Sequence, residues 1–229
     1  MKDQQSALLE AKNISYQAGD SQILQDVSLK IDAGQFILIT GPSGCGKSTL
    51  LKIISSLIAA NAGEISLSGK AIDEYTPEHY RQRVSYCSQT PALFGNTVAD
   101  NLLFPWTLRD KTPPEGKLAA DLKRFSLSEE MLDKGINELS GGEKQRVSLI
   151  RHLQFLPDVL LLDEITSALD ETNKKQVNEI IHQYVREHQL AVLWVTHDTN
   201  EIEHADKVLT LGNTNRDTVK DKDEHHESA

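Results

Sequence analysis

The order of apolar and polar residues along the chain predicts strands that alternate with helices. Short apolar–polar alternations at 7–16 and 23–31 are typical of strands, and Gly19 lies in a predicted turn between them. The continuous apolar run at 36–40 predicts a strand that is covered on both faces. A glycine-rich segment follows, and residues 48–57 then place apolar side chains at helical spacing.

The second half of the chain repeats this alternation. The apolar run at 159–162 has the length of a strand, and the pattern predicts a helix at 173–187 and another strand at 190–195. Strands that alternate with helices imply a largely parallel sheet, while the alternating segments near the start predict an antiparallel portion. The predicted fold class is therefore α/β.

Residues of about 90–155 differ in character from their surroundings, because they hold several prolines, charged loops and short helical pieces. We interpret them as a helical subdomain inserted into a single domain at 7–211. Residues 212–229 are polar and of mixed charge without periodicity, which predicts a flexible tail.

Composition and charge exclude several function classes. The formal net charge of −10 argues against nucleic-acid binding, because phosphate backbones attract Lys/Arg-rich surfaces. The two cysteines, Cys45 and Cys87, cannot form a disulfide framework and lack zinc-site spacing. No stretch approaches the ~20 apolar residues that cross a bilayer. If the protein acts at a membrane, we expect it to act through a partner.

A phosphate-binding loop is predicted at residues 41–48, which read GPSGCGKS. Glycines let successive backbone N–H groups approach a triphosphate without side chains in the way. The spacing G-x-x-x-x-G-K-S sets Lys47 to reach the β- and γ-phosphates of ATP and Ser48 to bind Mg²⁺. The alternative is a glycine-rich turn that matches by chance. The predicted strand before the loop and the helix after it favour the phosphate site, the P-loop of a nucleoside triphosphatase.

Two carboxylates, Asp163 and Glu164, follow the buried run at 159–162. They lie at a strand end, where parallel sheets gather their ligands. Beside a P-loop, Asp163 would hold Mg²⁺ through its water shell, and Glu164 would orient and deprotonate the attacking water. Adjacent carboxylates after a strand otherwise mark the first turn of a helix, and the P-loop favours the catalytic interpretation.

A second predicted anion site lies at residues 139–146, which read LSGGEKQR. Ser140 is placed to cap a helix, and Gly141 and Gly142 leave its first N–H groups bare; the alternative is a simple serine-capped helix. Here the sequence resembles the ABC ATPase family, whose signature has the form LSGGQ, with Glu143 where Gln is commonest. The resemblance implies ATP hydrolysis by two copies paired head to tail, each signature closing on the ATP of the other.

The resemblance also implies roles for the remaining motif positions. Gln89 would contact Mg²⁺ and water, His197 would hold the γ-phosphate, and residues 167–170 would cross the dimer interface. Tyr16 lies where the family places an aromatic ring against adenine, although a tyrosine that packs in its strand is the alternative. The implied catalytic residues are Glu164, His197, Lys47 and Gln89. The implied nucleotide contacts are Tyr16, Gly41, Pro42, Ser43, Gly44, Cys45, Gly46, Lys47, Ser48, Thr49, Gln89, Ser140, Gly141, Gly142 and Asp163. The implied Mg²⁺ ligands are Ser48, Gln89 and Asp163.

Stretches outside the shared motifs, such as TPALFG at 90–95 and NLLFPW at 101–106, resemble small bacterial ATPases of the Fet type. That resemblance implies the ATP-binding half of an iron exporter with a separate multi-span membrane permease. The chain would then be cytoplasmic and peripheral on the inner membrane. The apolar cluster after Gln89 would form the docking groove, with a contribution from Phe94 or Trp106. Ile165 replaces the usual proline of the family, which restores a backbone N–H and loosens φ.

Three alternatives stay open at this point. One is a soluble ABC ATPase that acts on a non-membrane partner, such as a cluster-assembly scaffold. Another is an ATP-dependent clamp without hydrolysis, against which Glu164 and His197 argue. The third is a metal site among scattered histidines, which the sequence disfavours because they show no ligand spacing. These histidines are His182, His188, His204, His225 and His226.

Overall fold

The structure is a computed structural model that describes residues 7–196, 205–212 and 218–221. The chain divides into two compact units. The first consists of residues 1–86, 158–163 and 184–229, and the second consists of residues 87–157 and 164–183. The second unit contains all of residues 90–155, for which the sequence predicts a helical subdomain.

Two sheets are formed by ten strands in the described part of the chain. The strands are β1 Leu9–Ala18, β2 Ser21–Ile31, β3 Phe36–Thr40, β4 Ala62–Leu67, β5 Lys70–Ala71, β6 Val84–Cys87, β7 Val159–Asp163, β8 Ala191–Val195, β9 Lys207–Thr210 and β10 Thr218–Asp221. The α-helices are α1 Lys47–Ile54, α2 Pro77–Arg83, α3 Val98–Thr107, α4 Lys117–Arg124, α5 Gly141–Leu153 and α6 Glu171–His188. Short 3-10 helices occur at Ile72–Glu74, Glu129–Asp133 and Ile136–Glu138.

The smaller sheet has four strands in the order β2-β1-β4-β5, and its neighbours are antiparallel. Leu9 lies opposite Ile31, and the β1–β2 hairpin turns at Gly19, whose φ of 58° suits a residue without a Cβ. This sheet is the antiparallel portion that the alternating segments predict.

The larger sheet has six strands in the order β10-β9-β3-β8-β7-β6. Strand β3 pairs in parallel with β8 and β9, and β7 pairs in parallel with β8. Every residue of β7 and β8 is buried, as expected for parallel strands covered on both faces. The predicted α/β fold with a mostly parallel sheet is confirmed.

One apolar core joins the two sheets of the first unit. Leu50, Leu51, Ile53 and Ile54 of α1 are buried in it together with apolar residues of β1 to β4 and β7 to β9. The apolar residues after Ser48 are therefore the core-facing positions of α1. The helix begins at Lys47 and ends at Ile54, three residues before the predicted end.

The second unit is built from helices. Helices α3 and α5 pack together, and α4 contacts α5 and the 3-10 helix Glu129–Asp133. Asn101 of α3 is fully buried and holds the preceding loop: its side chain donates to the carbonyl oxygens of Phe94 and Thr97 at 2.8 and 3.0 Å and accepts from the N–H of Phe94 at 3.1 Å. Arg151 of α5 completes the network with bonds to Ala92 and Asn101.

Strand β10 lies within the segment for which the sequence predicts a flexible tail. It pairs antiparallel with β9, so that Thr218 lies opposite Thr210. A polar segment without periodicity gives no sequence signal for such an edge strand. No helix among the described residues is long and apolar enough to span a membrane.

Candidate functional site

The loop between β3 and α1 has the backbone shape that its glycines permit. Gly41, Gly44 and Gly46 have φ values of 142°, 82° and 97°, which residues with a Cβ rarely adopt. A Cβ on Gly41 would lie 2.4 Å from the carbonyl oxygen of Leu211, and one on Gly46 would lie 2.7 Å from Leu24 Cδ2. The loop therefore requires glycine at these positions for steric as well as conformational reasons.

Lys47 begins α1 and turns its ammonium group back to the loop. Its Nζ donates to the carbonyl oxygens of Gly41 and Pro42, each at 2.9 Å, and the residue is only 6% exposed. Pro42, Ser43 and Gly44 form an exposed rim. A buried cation, a helix N-terminus and an open glycine rim together make a cradle for an anion.

Asp163 ends β7 and is 3% exposed. Its Oδ1 accepts a hydrogen bond from Ser48 Oγ at 2.9 Å, and its Oδ2 accepts one from Tyr86 Oη at 2.7 Å. The P-loop hydroxyl and the carboxylate predicted for Mg²⁺ are thus adjacent. Both are hard oxygen donors of the kind Mg²⁺ prefers, so the residues present fit the ion.

Glu164, the first residue of a stretch in the second unit, adopts a left-handed backbone with φ of 48°. This conformation is uncommon for a residue with a side chain and is concentrated at functional sites. Gln89 Nε2 donates to Glu164 Oε2 at 2.7 Å. The two residues predicted to act on water therefore contact one another. Ile165, in place of the usual proline, has a buried side chain.

Ser140 caps α5 as predicted. Its Oγ accepts from the N–H of Glu143 at 3.2 Å, while Glu143 Oε2 accepts from the N–H of Ser140 at 2.7 Å, which is a reciprocal capping box. The bond from the Ser140 N–H lowers the pKa of the Glu143 carboxyl, and the nearby Lys134 adds to this. Gly141 is exposed at the helix start.

The residues at 167–170 lie against the same helix start. A Cβ on Gly142 would come within 3.1 Å of Leu169 Cδ2 and 3.2 Å of the Ala168 carbonyl oxygen. Asp170 accepts from the N–H of Asn173 at 2.9 Å, and this bond lowers the pKa of the Asp170 carboxyl. The close approach of residues 168–169 to the first turn of α5 thus gives Gly142 a packing role in addition to any role toward an anion.

Four residues of the predicted site remain to be described. Tyr16 is half-buried in β1 and packs against the core, so its ring is partly available at the surface. Thr49 and Cys45 are also half-buried, in α1 and in the loop before it. His197 lies outside the described residues. The assignments of these four residues stay predictions.

Sequence reasoning missed two residues that contact the predicted site. Tyr86 belongs to the segment before Gln89, but only the sheet brings its hydroxyl to Asp163. Lys134 lies nine residues before Glu143, and its Nζ is 3.4 Å from the Glu143 carboxylate. No local pattern in the sequence marks either contact, because both depend on tertiary packing.

Comparison with known proteins identifies a family and a similar relative. Residues 24–167 match the family described as ABC transporter. The chain is 60% identical over 206 residues to the probable iron export ATP-binding protein FetA of Escherichia coli (strain K12), an alignment that covers 90% of this chain and 92% of that protein. The chain belongs to the ABC transporter family. As a member of that family it is an ATP-binding, ATP-hydrolysing subunit.

The chain also resembles more distant proteins, one by sequence and one by fold. The sulfate/thiosulfate import ATP-binding protein CysA of Yersinia pseudotuberculosis is 37% identical over 94% of this chain, which covers 61% of that longer protein. The solved dimeric structure of the ATP-binding cassette MJ0796, bound to ADP and Pi, has a TM-score of 0.82 and 26% identity, with 93% of this chain and 98% of that chain covered. The family resemblance drawn from the signature segment is confirmed.

Proposed function

We propose that this chain binds Mg²⁺ and ATP at the P-loop, hydrolyses the ATP in a head-to-tail pair with a second copy, and thereby powers iron export through a separate membrane permease. The observation that supports it most directly is the cradle at residues 41–48. There the Lys47 ammonium is held by the Gly41 and Pro42 carbonyls, next to the Ser48–Asp163 pair.

Phosphate binding at the cradle follows from its charge and its backbone. The Lys47 ammonium lies within reach of any anion that the exposed rim admits, and a β- or γ-phosphate offers it stronger acceptors than neutral carbonyls. Backbone N–H groups of the glycine-rich rim and the start of α1 add donors to the same anion. The cradle therefore combines the positive charge of Lys47 with the backbone N–H groups of the loop.

Ser48 and Asp163 would hold Mg²⁺, and Gln89 would complete the set predicted from the family. Mg²⁺ held by these residues would supply positive charge that offsets the negative charge of the phosphates. Tyr86 restrains Asp163 through its second carboxylate oxygen, which leaves the carboxylate one fixed orientation toward Ser48.

Glu164 is proposed as the base. It would accept a proton from water as the water oxygen forms a bond to the γ-phosphorus and the bond from that phosphorus to the bridging oxygen breaks, which yields ADP and phosphate. Gln89 orients Glu164 through its 2.7 Å bond. His197 is proposed to hold the γ-phosphate, and Tyr16 to contact adenine.

Iron export and a membrane partner are supported by the Escherichia coli relative. That protein is named as a probable iron export ATP-binding protein, and the alignment covers nearly all of both chains. The solved MJ0796 cassette is a dimer, which supports the proposed pairing. A subunit of such an exporter would work at the cytoplasmic face of the membrane, bound to its permease.

Phosphate release and nucleotide binding test the proposed residues separately. Lys47→Ala should lose both the binding of a fluorescent ATP analogue and phosphate release, because it removes the cation of the cradle. Glu164→Gln should keep nucleotide binding and lose hydrolysis by at least ~100-fold, the usual weight of a general base. Wild-type turnover in Glu164→Gln would show that Glu164 is not the base.

The membrane partner is tested by purification of the tagged full chain from detergent-solubilised cells. Recovery of a multi-span membrane protein in stoichiometric amount supports the exporter. Recovery of a soluble scaffold in its place, with no membrane protein, would contradict it.

A further inference from the structure

Glu143 places a negative charge at the N-terminus of α5. The proposed function requires the same helix end to receive the ATP of a second copy. Glu143 is the third residue of α5, whose first residues, Gly141 and Gly142, would face the ATP of a second copy. A carboxylate in the first turn stabilises its own helix through the dipole and the cap. The same carboxylate repels an incoming triphosphate, which the neutral glutamine common in the family does not.

Lys134 forms a salt bridge with this carboxylate. Arg146 also interacts electrostatically with Glu143, but its guanidinium shares that interaction with Asp170 and donates a hydrogen bond to Asn173. Lys134 Nζ lies 3.4 Å from both carboxylate oxygens of Glu143. Glu143 Oε2 also accepts the Ser140 N–H at 2.7 Å, so the carboxylate is held in one orientation between the helix cap and the ammonium group.

Backbone bonds brace the position from which Lys134 reaches Glu143. Its N–H donates to the Met131 carbonyl at 3.0 Å, and its carbonyl accepts from the Val98 N–H at 3.1 Å. The next residue, Gly135, forms a bridge with Thr97. The lysine stem therefore starts from a fixed point, which lowers the entropy lost when the ammonium group pairs with Glu143.

We propose that Lys134 is a positioning residue that neutralises Glu143, so that the α5 N-terminus can receive the negatively charged nucleotide held by a second copy of the chain. This inference rests on the proposed head-to-tail pairing. The Ser140 N–H lowers the pKa of the Glu143 carboxyl, so Glu143 carries a negative charge at neutral pH.

The charge pair should matter only when two chains close on ATP. ATP binding to one chain uses residues 41–48 and leaves the α5 end free. Loss of Lys134 should therefore weaken ATP-dependent pairing and leave the affinity of a single chain for nucleotide unchanged. A general folding defect would affect both quantities.

The test measures ATPase rate against protein concentration, which gives an apparent pairing constant and a maximal rate for each variant. The variants are Lys134→Met, Glu143→Gln and the double variant, with Lys123→Met of α4 as a control for the loss of one positive charge. Binding of a fluorescent ATP analogue is measured on dilute protein, and thermal unfolding reports folding.

We expect Lys134→Met to require roughly tenfold more protein for half-maximal ATPase, the effect of one uncompensated charge at a partly exposed site. Glu143→Gln and the double variant should both behave as wild type, since neither contains an unpaired carboxylate. Lys123→Met should also match wild type. Nucleotide binding by dilute protein should be equal in all five proteins.

Two results would overturn the inference. Wild-type concentration dependence in Lys134→Met would show that the cation is not required. An equal defect in Lys134→Met and the double variant would show that Lys134 acts independently of Glu143. Failure of the proposed function is distinguishable, because in that case the wild-type rate per chain would not depend on protein concentration at all.

Discussion

The buried amide of Asn101 should be one of the main supports of the second unit. The residue is 0% exposed and takes part in four hydrogen bonds: two from its Nδ2 to the carbonyls of Phe94 and Thr97, and two to its Oδ1, from the Phe94 N–H and Arg151 Nη1. These bonds hold the loop that presents Phe94 at the surface. We therefore expect Asn101→Ala to loosen this loop and to destabilise the unit.

The magnitude follows from the bonds lost. A typical hydrogen bond contributes ~1 kcal/mol net, and a partner left buried without a replacement costs ~1–3 kcal/mol. Loss of all four bonds would lower the free energy of unfolding by about 4 kcal/mol or slightly more, which is the upper limit. Phe94 is partly exposed, so water can replace some of its bonds, and we expect a loss of about 2–4 kcal/mol in the free energy of unfolding.

Urea unfolding measured through one tryptophan gives the assay. The chain has two tryptophans, and Trp106 lies in the second unit while Trp194 lies in the first. A Trp194→Phe background therefore leaves a single reporter in the unit that contains Asn101. Asn96→Ala, on the exposed part of the same loop, is the matched control and should cost less than ~0.5 kcal/mol. A loss below ~1 kcal/mol in Asn101→Ala would refute the support that we assign to this network.

Three further predictions concern the P-loop, acid stability and docking. Gly46→Ala places a Cβ 2.7 Å from Leu24 Cδ2 in a residue whose φ is 97°. The strain should cost ~1–2 kcal/mol and weaken the binding of an ATP analogue more than ~10-fold. Gly69 also has a positive φ but has open space around it, so Gly69→Ala should bind the analogue normally. Burial, with a neighbouring guanidinium, lowers the pKa of His152 from 6.5 to about 3. Protonation of His152 thus favours the unfolded chain, and the wild type should lose stability as pH falls from 6.5 toward 3. His152→Gln should lose less stability over the same range. Identical profiles of stability against pH for the two proteins would contradict this prediction. Phe94→Ser should release the chain from isolated membranes with unchanged nucleotide affinity, whereas Leu57→Ser, which changes an exposed leucine of the first unit, should remain bound.

The elements that the sequence predicts well are those whose pattern is local. Strands β3, β7 and β8 are continuous apolar runs and lie within one residue of the predicted bounds. The predicted helix at 173–187 extends from Glu171 to His188. A strand covered on both faces must be apolar throughout, so the run of apolar residues in the sequence directly predicts the buried strand.

The parts that the sequence does not predict depend on contacts between distant residues. The hydroxyl of Tyr86 reaches Asp163 across 77 positions. Lys134, which follows the 3-10 helix Glu129–Asp133, reaches the carboxylate of Glu143 in α5. The left-handed backbone of Glu164 is likewise set by the fold, since glutamate has no intrinsic preference for it. The motifs therefore identify the chemistry, whereas the restraints on those groups emerge only in three dimensions.

The proposed function requires a composite site, which consists of the P-loop of one chain and the α5 N-terminus of another. A mixing experiment separates this arrangement from a site within one chain. Lys47→Ala disables the P-loop and keeps the signature helix. Gly141→Asp places a negative charge at the signature helix and keeps the P-loop; a Cβ there meets only Ala168 Cβ at 3.9 Å, so the variant should fold.

The decisive measurement is the ATPase rate of an equimolar mixture of Lys47→Ala and Gly141→Asp chains, each inactive alone. In head-to-tail pairs, the P-loop of the Gly141→Asp chain meets the intact signature of the Lys47→Ala chain. Random pairing then restores about a quarter of the wild-type rate, because half of the pairs are mixed and each has one intact site of two. A mixture as inactive as its components would contradict the composite site.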